Sequence, residues 1–335
     1  MENLLEIKNL RTNFTTSNGV VQAVRGINIS LDKGECLGIV GESGCGKSVT
    51  MMSILKLLDD NAVVSADEIK FKGIDLMDKD AKFMRTLLGS GIGMVFQDPL
   101  TSLNPLYTIG NQIMEPIKIH TNMSSKDARA KAVELLRLVG IPSPESRLKQ
   151  YPHELSGGMR QRVMIAIAIS CEPDLLVADE PTTALDVTIQ AQILDLMVDL
   201  KNKINTSIIL ISHDLGIISG MCERVIVMYG GMVMEEGSID DIFYKTSHPY
   251  TKGLLNSIPK IENGKREKLV PIFGSPPDLL NPPKGCPFSG RCDYAMKICG
   301  SHLPGMKEIS QSHRSACWML HPKAATLSKG VLTNG

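Results

Sequence analysis

The 335-residue sequence predicts an α/β fold with a parallel sheet, followed by a loop-rich C-terminal extension. Short apolar strands alternate with helical segments through the first 240 residues, and a glycine-rich turn joins one strand directly to a helix. Beyond residue 240 the regular periodicity is lost and prolines become frequent. We therefore expect one domain over residues 1–240 and an extension over residues 241–335.

Composition and charge exclude several classes of protein. The 36 basic residues balance the 36 acidic residues, which argues against a nucleic-acid partner. A hydrophobic fraction of 43% with 21% charged residues is typical of a globular protein. No apolar run approaches the ~20 residues that a membrane span needs, and no secretory signal is recognisable at the start. We expect a soluble, cytosolic protein.

The N-terminal segment predicts antiparallel strands over residues 4–10 and 20–31. The two strands are separated by the turn Ser17-Asn18-Gly19. A short buried strand is then predicted over Cys36–Val40, and a helix over Val49–Leu58. The segment between them is rich in glycine, as expected where a strand turns sharply into a helix.

The clearest amphipathic helix is predicted over residues 124–140, with Ser124 as its N-cap. A hairpin is predicted around Gly230-Gly231, a two-residue turn signal between apolar segments. Four further strands are predicted over Leu175–Ala178, Ser207–Ile211, Val225–Tyr229 and Met232–Glu236.

The glycine-rich turn fits the phosphate-binding pattern G-x-x-x-x-G-K-[ST] from Gly41 to Ser48. Its backbone N–H groups and the following helix N-terminus suit a nucleotide phosphate. Lys47 is expected to reach the β- and γ-phosphates, and the Ser48 hydroxyl to ligate Mg²⁺. Cys45 occupies a variable position of the pattern and is interpreted as a small filler, although a thiol there predicts inactivation by alkylating reagents, with protection by ATP. The candidate ATP-binding residues here are Gly41, Ser43, Gly44, Cys45, Gly46, Lys47, Ser48 and Val49.

The strand over Leu175–Ala178 ends in two carboxylates, Asp179 and Glu180. Asp179 is a candidate Mg²⁺ ligand, and Glu180 a candidate to polarise an attacking water. Many strands end in acidic residues, so these two carboxylates alone do not indicate a catalytic site. They do so here because a phosphate-binding loop precedes them in the chain.

The segment LSGGMRQR, from Leu155 to Arg162, resembles the signature of ABC-type ATPases. Other motifs of that family occur in the expected order over about residues 4–240. The resemblance implies a P-loop (RecA-like) ABC ATPase core with an N-terminal antiparallel β subdomain and a helical subdomain at about residues 98–165. The residues that match are Phe14 (adenine-stacking loop), Gln97 (Q-loop), Ser156, Gly157, Gly158 and Gln161 (signature), Asp186 (D-loop) and His213 (switch histidine).

The resemblance implies catalytic roles for Glu180, His213 and Gln97, and for Gln97 also contact with Mg²⁺. Each residue has a plainer alternative. The alternative for Phe14 is a strand aromatic packed on the sheet, for Gln97 a solvated loop residue, and for His213 a core histidine, but the motif context favours the functional role for each.

In the family, the signature residues contact the γ-phosphate that a second subunit binds. Ser156 and Gly157 are placed for that role because a helix N-terminus attracts anions. The resemblance thus implies two ATP molecules held between this chain and a homologous ATPase subunit. It also implies docking at the cytoplasmic face of the cell membrane on two permease subunits, which an extracellular binding protein supplies with cargo.

Four cysteines cluster in the extension: Cys286, Cys292, Cys299 and Cys317. Four thiolates suit tetrahedral zinc or an iron–sulfur cluster. Zinc modules usually carry a close C-x₂₋₄-C pair, which is missing here, so the wider gaps of five and six residues favour a cluster. Unliganded thiols or disulfides are the remaining alternatives.

The segment around Cys286 and Cys292 resembles the C-terminal extension of oligopeptide and dipeptide importer ATPases. That resemblance implies a [4Fe–4S] cluster on the four cysteines and peptides as cargo. Importers of nickel, opines or glutathione are alternatives within the class. A soluble ABC ATPase acting on DNA or ribosomes is a rival from another class; the single cassette, the absence of a heptad run and the zero net charge argue against it.

Overall fold

A computed structural model describes residues 3–183, 185–258, 261–262, 265–266 and 271–324. The strands are β1 Asn3–Thr16, β2 Gly19–Asp32, β3 Cys36–Val40, β4 Ala62–Ser65, β5 Glu68–Phe71, β6 Ile74–Asp75, β7 Ile92–Val95, β8 Leu175–Asp179, β9 Ser207–Ser212, β10 Arg224–Tyr229, β11 Met232–Ser238, β12 Ile261–Glu262, β13 Lys265–Arg266, β14 Lys307–Glu308 and β15 Arg314–Ser315. The helices are α1 Lys47–Ile54, α2 Ala81–Leu87, α3 Pro99–Ser102, α4 Ile109–His120, α5 Ser125–Leu138, α6 Pro144–Arg147, α7 Gly157–Ala168, α8 Val187–Ile204, α9 Leu215–Ser219, α10 Ile239–Tyr244, α11 Pro249–Asn256 and α12 Lys297–Ser301.

The chain forms two compact units, and each is built from segments that are distant in sequence. Unit 1 comprises Met1–Leu4, Leu31–Cys36 and Phe71–Ile211. Unit 2 comprises Leu5–Ser30, Leu37–Lys70 and Ser212–Gly335. Unit 2 therefore contains both the phosphate-binding loop and the C-terminal extension.

In unit 1, three parallel strands lie in the order β7-β8-β9. Every residue of β8 and β9 is buried, which is why both read as continuous apolar runs rather than as alternating ones. Helices α4, α5 and α7 pack against one another beside these strands. The predicted cap of α5 is confirmed, because the Ser124 hydroxyl accepts a hydrogen bond from the Asp127 N–H.

In unit 2, β1 pairs with β2, which confirms the two predicted N-terminal strands, and β1 runs antiparallel to β4. A second sheet has the order β3-β10-β11-β15-β14. Strand β10 is parallel to β3 and antiparallel to β11, so the predicted hairpin is confirmed, with a bulge at Val227/Met228. Strand β15 of the extension adds to the free side of β11.

Regular structure continues beyond residue 240, where the sequence predicted its loss. Helix α10 begins with a capping box, in which Ser238 and Asp241 each accept a hydrogen bond from the other's backbone N–H. Helix α11 begins with Pro249 after the N-cap His248. Both helices are too short for an apolar periodicity to be recognised. Only the residues at their N-termini, the capping box of α10 and Pro249 of α11, could have predicted them from the sequence. The position of the domain boundary stays a prediction.

Within the described residues, no helix is both long and apolar enough to cross a bilayer.

Candidate functional site

The phosphate-binding loop in unit 2 runs from the end of β3 into α1. Lys47 is almost fully buried, and its Nζ donates hydrogen bonds to the carbonyl oxygens of Gly41, at 2.8 Å, and Glu42, at 3.1 Å. The ammonium group is thus held inside the curve of the loop rather than extended into solvent. This arrangement confines one positive charge among backbone groups at the start of a helix, as anion binding requires.

Two glycines of this loop have no room for a side chain. A Cβ atom on Gly41 would lie 2.2 Å from the carbonyl oxygen of Met228 in β10. A Cβ on Gly46 would lie 2.5 Å from the carbonyl oxygen of Ala23 in β2, and Gly46 also has a φ of +100°. The pattern therefore needs glycine here because neighbouring backbone passes too close for any other residue.

The remaining loop residues differ in exposure. Ser43 and Gly44 are exposed at the tip, whereas Ser48 and Val49 are half-buried in the first turn of α1. Cys45 is buried, and burial raises the pKa of its thiol, although Lys47 opposes that shift. A protonated, buried thiol reacts slowly, so rapid alkylation at Cys45 is no longer expected.

Phe14 lies half-buried on β1, opposite Ala62 of β4. Two residues earlier, the buried Thr12 hydroxyl contacts the Ser53 hydroxyl of α1 at 2.7 Å. Alternate residues of a strand share a face, so Phe14 lies on the face of β1 that turns towards α1.

In unit 1, Glu180 follows β8 directly and is half-buried. Its carboxylate accepts hydrogen bonds from the Thr183 hydroxyl, at 2.9 Å, and from Gln97 Nε2, at 3.1 Å, both to Oε2. Its backbone N–H bonds to the carbonyl oxygen of Ile211 at 3.0 Å. The structure thus brings together two of the predicted catalytic residues, and Thr183 is a further contact that the sequence did not indicate.

Three other predicted residues occupy distinct places in unit 1. Asp179 is buried at the last position of β8. Ser156 is the exposed N-cap of α7, where its hydroxyl accepts from the Met159 N–H at 3.4 Å. Gly157 and Gly158 form the first turn of that helix, and Asp186 caps α8 by accepting from the Ile189 N–H. Ala184 of the D-loop lies outside the described residues.

Gln161 and His213 lie in contrasting surroundings. Gln161 is buried in α7 of unit 1, and among the described residues its Nε2 has no hydrogen-bond partner. His213 belongs to unit 2, where it is exposed immediately after β9. Its exposure argues against the core-histidine alternative.

The sequence did not reveal that the extension contacts the phosphate-binding loop. Arg291 forms an ion pair with Glu42 at 2.7 Å, and the Glu42 N–H donates to the Tyr250 hydroxyl at 2.9 Å. Tyr250 in turn packs against the rings of Tyr229 and Phe288. No sequence pattern indicates such long-range pairs; the only available signal was that the loop contains an acidic residue, Glu42, which needs a counter-charge.

All four clustered cysteines line one pocket of unit 2. Cys286 and Cys299 are buried, and the backbone N–H of Cys286 bonds to the carbonyl oxygen of Cys299 at 2.7 Å. His248, Phe288 and Trp318 also line the pocket. In the part of the chain that the structure describes, no three His, Cys, Asp or Glu side chains are close enough together to hold one metal ion. The metal-binding extension therefore stays a prediction.

Burial dominates the protonation of these thiols. It raises the pKa of Cys286 and of Cys317 to about 11, and that of Cys292 in the same direction. Neighbouring cysteines add to these shifts because thiolates would repel one another. Without a cation to compensate, Cys286, Cys292 and Cys317 are therefore neutral thiols at physiological pH.

A buried carboxylate that no motif indicated ties the extension to β11. Glu235 is fully buried and accepts hydrogen bonds from the Thr246 hydroxyl, at 2.8 Å, and the Ser247 N–H, at 2.6 Å. His313 Nε2 lies 2.8 Å from Glu235 Oε1, the same carboxylate oxygen that accepts from the Ser247 N–H. Nearby, burial lowers the pKa of His248 to about 4, so this pocket residue is neutral.

Comparison with known proteins places these features in context. The sequence profile described as "ABC transporter" matches residues 24–183. The profile described as "Oligopeptide/dipeptide transporter, C-terminal region" matches residues 234–299. The first match contains the phosphate-binding loop and Glu180, and the second contains Cys286, Cys292 and Cys299.

Relatives align along nearly the whole chain. The oligopeptide transport ATP-binding protein OppD of Bacillus subtilis (strain 168) is 55% identical over 322 residues, which cover 96% of this chain and 90% of OppD. The dipeptide transport ATP-binding protein DppD of the same organism is 53% identical over 325 residues, which cover 97% of each chain.

Among solved structures, the ATP-binding cassette MJ0796 has a similar fold. Its dimeric post-hydrolysis state, bound to ADP and Pi, gives a TM-score of 0.63 at 27% sequence identity. The match covers 70% of this chain and 98% of that one. The difference in coverage reflects the extra length of the present chain.

Proposed function

Because this chain belongs to the ABC transporter family, among the ATP-binding proteins of oligopeptide and dipeptide transport, we propose that it hydrolyses ATP to power peptide import. One observation carries the proposal: identity of 55% to an oligopeptide transport ATP-binding protein extends over 96% of the chain. Peptides are the cargo by this relationship, since no residue of an ATP-binding subunit is expected to contact the cargo.

The phosphate-binding loop takes the β- and γ-phosphates of ATP. Lys47 supplies the positive charge, and the loop and α1 supply N–H donors, because Gly41 and Gly46 let the backbone turn tightly. Ser43, Gly44, Cys45 and Val49 contribute through their backbone positions. Phe14 stacks on the adenine, which its place on the face of β1 near α1 supports.

Glu180 orients and polarises the water that attacks the γ-phosphate. The support is its fixed carboxylate, which the Thr183 hydroxyl and the Gln97 amide both hold. Gln97 and His213 complete the catalytic set. Ser48, Asp179 and Gln97 are oxygen donors of the kind that Mg²⁺ prefers, and Mg²⁺ bound by them would neutralise charge on the phosphates.

The signature residues Ser156, Gly157, Gly158 and Gln161 act on ATP bound by a second, homologous ATPase subunit. The exposure of Ser156 and Gly157 at the N-terminus of the twelve-residue helix α7 supports this role. Asp186 of the D-loop belongs to the same interface. The cassette MJ0796, solved as a dimer with ADP and Pi, supports a two-subunit arrangement.

The chain works as a peripheral subunit at the cytoplasmic face of the membrane. Its partners are two permease subunits, and an extracellular peptide-binding protein supplies the cargo to them. The helical segment at about residues 98–165 is the part of the domain that docks on the permeases.

The four cysteines hold a [4Fe–4S] cluster. The donor set fits, since thiolates are the usual ligands of such clusters, and Phe288 and Trp318 wall the pocket. Around one zinc ion every sulfur lies about 2.3 Å from the metal, which demands a tight group. The gaps of five and six residues that separate Cys286, Cys292 and Cys299 favour the larger cluster over zinc. A bound cluster would stabilise the thiolates that burial otherwise disfavours.

Transport is tested with the chain assembled in lipid vesicles together with its two permease subunits, the homologous ATPase subunit and the peptide-binding protein. We expect peptide uptake only when ATP is present on the side of the membrane where this subunit lies. The variant Glu180→Gln should show no uptake. ATP-dependent uptake of nickel or glutathione but not of peptides would contradict the cargo proposal while leaving the ATPase proposal intact.

The cluster is tested by anaerobic purification followed by iron and acid-labile sulfide assays. We expect about four iron and four sulfide per chain, from the composition of the cluster, and their loss in Cys292→Ser. A colourless protein that contains one zinc ion would contradict the proposal.

A further inference from the structure

Arg291 of the extension is held by four hydrogen bonds. Its Nη1 donates to Glu42 Oε2 at 2.7 Å and to the Tyr229 hydroxyl at 3.0 Å. Its Nε and Nη2 donate to the backbone carbonyl oxygens of Phe273 and Ile272, each at 2.9 Å. Only 8% of the side chain is exposed. The guanidinium is therefore a rigid, buried cation directed at the second residue of the phosphate-binding loop.

Glu42 is fixed at three points. Arg291 holds its carboxylate, and the Tyr250 hydroxyl accepts from its backbone N–H at 2.9 Å. Its carbonyl oxygen accepts from Lys47 Nζ at 3.1 Å. Arg291 and Lys47 are far apart in sequence, yet both contact Glu42: Arg291 binds its carboxylate and Lys47 binds its carbonyl oxygen. A shift of Glu42 would move the carbonyl that helps to orient Lys47.

Charge gives the ion pair a second consequence. The Glu42 carboxylate belongs to a loop that receives a polyphosphate, and two anions in a partly buried site repel each other. Arg291 neutralises that carboxylate at 2.7 Å. The pair therefore removes an unfavourable charge at the place where the nucleotide binds.

We propose that Arg291 is a positioning residue for ATP binding, and that the extension thereby forms part of the nucleotide site. Arg291 acts through Glu42: it fixes the backbone of the phosphate-binding loop and cancels the charge of Glu42. This role depends on the ion pair, and it does not depend on which group the cysteine pocket holds.

If the role of Arg291 were purely structural, a different result would be expected for its substitution. If Arg291 only anchored the extension, any arginine that ties the extension to the sheet would have an equivalent effect. Arg314 provides the matched control, because it pairs with Glu236 at the β11–β15 contact and, among the described residues, makes no hydrogen bond or ion pair with the loop. Both arginines belong to the extension and both pair with a glutamate.

The first experiment measures ATP affinity of the full-length chain by equilibrium dialysis. We expect Arg291→Gln to bind ATP on the order of ten-fold more weakly, since a hydrogen-bonded charge is lost. We expect Arg314→Gln to bind ATP within about two-fold of the unchanged protein, since its partner lies outside the loop. Arg291→Lys keeps the positive charge and the aliphatic part of the side chain but loses the planar guanidinium with its several N–H donors. We therefore expect an intermediate, about three-fold loss of ATP affinity.

The second experiment is a double-mutant cycle with Glu42→Gln. Because Arg291 acts through the Glu42 carboxylate, Arg291→Gln should cost less than about two-fold in ATP affinity when Glu42 is already Gln. In the assembled transporter, the same substitution should raise the KM for ATP and leave kcat at saturating ATP within about two-fold.

Three outcomes would overturn the proposal. One is unchanged ATP affinity in Arg291→Gln; another is an equal loss in Arg291→Gln and Arg314→Gln. The third is an undiminished effect of Arg291→Gln in the Glu42→Gln background. Where Arg291→Gln does not fold, Arg291→Lys decides, and affinity equal to that of the unchanged protein contradicts the proposal.

Discussion

At the scale of single residues, Glu180 combines an unusual backbone with a fixed side chain. Its φ of 46° lies in the left-handed region, which a glutamate rarely adopts. The hydrogen bond from its N–H to Ile211 holds that conformation, and Thr183 and Gln97 hold the carboxylate. Strained residues of this kind are concentrated at functional sites, where the strain sets the direction of a side chain.

Replacing Glu180 by Gln should separate hydrolysis from binding. The amide keeps the shape of the side chain but does not polarise water, so we expect ATP turnover to fall by at least ~100-fold. ATP affinity, measured by equilibrium dialysis, should change by less than about three-fold. A turnover rate within ten-fold of the unchanged protein would contradict the assignment of Glu180.

Cys45 should react slowly with alkylating reagents despite its place in the phosphate-binding loop. Its thiol is buried and its pKa is raised, so the reactive thiolate is scarce at neutral pH and increases as the pH rises. We expect labelling at pH 7 at least ~10-fold slower than in urea-unfolded protein, followed by mass spectrometry of the Cys45 peptide. Equal labelling rates in the folded and unfolded protein would show that the thiol is accessible.

At the scale of elements, the segment from β3 through the loop to α1 depends on close backbone contacts. Strand β3 pairs with β10, and the loop then passes under the carbonyl oxygen of Met228. The order of strand, loop and helix was predictable, because the glycine pattern and the apolar run are local signals. The contact that makes Gly41 obligatory was not, since β10 is distant in sequence.

Alanine substitutions in this loop should therefore differ sharply. Gly41→Ala places a Cβ 2.2 Å from Met228 O, so either the loop or β10 must move. We expect ATP binding to be lost and the thermal midpoint to fall by several degrees, equivalent to about 2 kcal/mol or more.

Gly44→Ala is the matched control. A Cβ on Gly44 meets no atom within 4 Å, and only its φ of +76° is unfavourable. We expect a loss of about 1 kcal/mol in the free energy of unfolding and retained ATP binding. Equal effects of the two substitutions would contradict the role of the Met228 contact.

Only part of the extension could be predicted from the sequence. The four cysteines were recognisable by their spacing, and the structure brings all four to one pocket. Glu235, Tyr250 and Arg291 gave no comparable signal, because their partners depend on how β15 and α11 pack. Long-range polar pairs carry no periodicity, so an isolated sequence does not reveal them.

At the scale of the whole molecule, the extension is integrated into unit 2. Strand β15 continues the sheet that contains β3, and Glu235 of β11 is satisfied by partners that all follow residue 240 in the chain. A chain cut at residue 240 would lose all of these partners of Glu235.

His313→Ala tests this integration without truncation. Loss of the hydrogen bond to the buried Glu235 carboxylate should lower the free energy of unfolding by about 2 kcal/mol. Urea unfolding can be followed by the fluorescence of the single tryptophan, Trp318, which lies in the extension. The exposed His302 is the control, and His302→Ala should change stability by less than about 0.5 kcal/mol. Equal stability of the two variants would contradict a stabilising role for the pair.

The place of β15 in the sheet also bears on how the chain folds during synthesis on the ribosome. Strand β11 is complete at Ser238, and its partner β10 precedes it in the chain. The residues that pair with its other edge, Arg314 and Ser315, are synthesised much later. In the interval the nascent chain presents an open strand edge at β11, and such edges favour aggregation. The strand order β3-β10-β11-β15-β14 is therefore complete only after Ser315 has been translated.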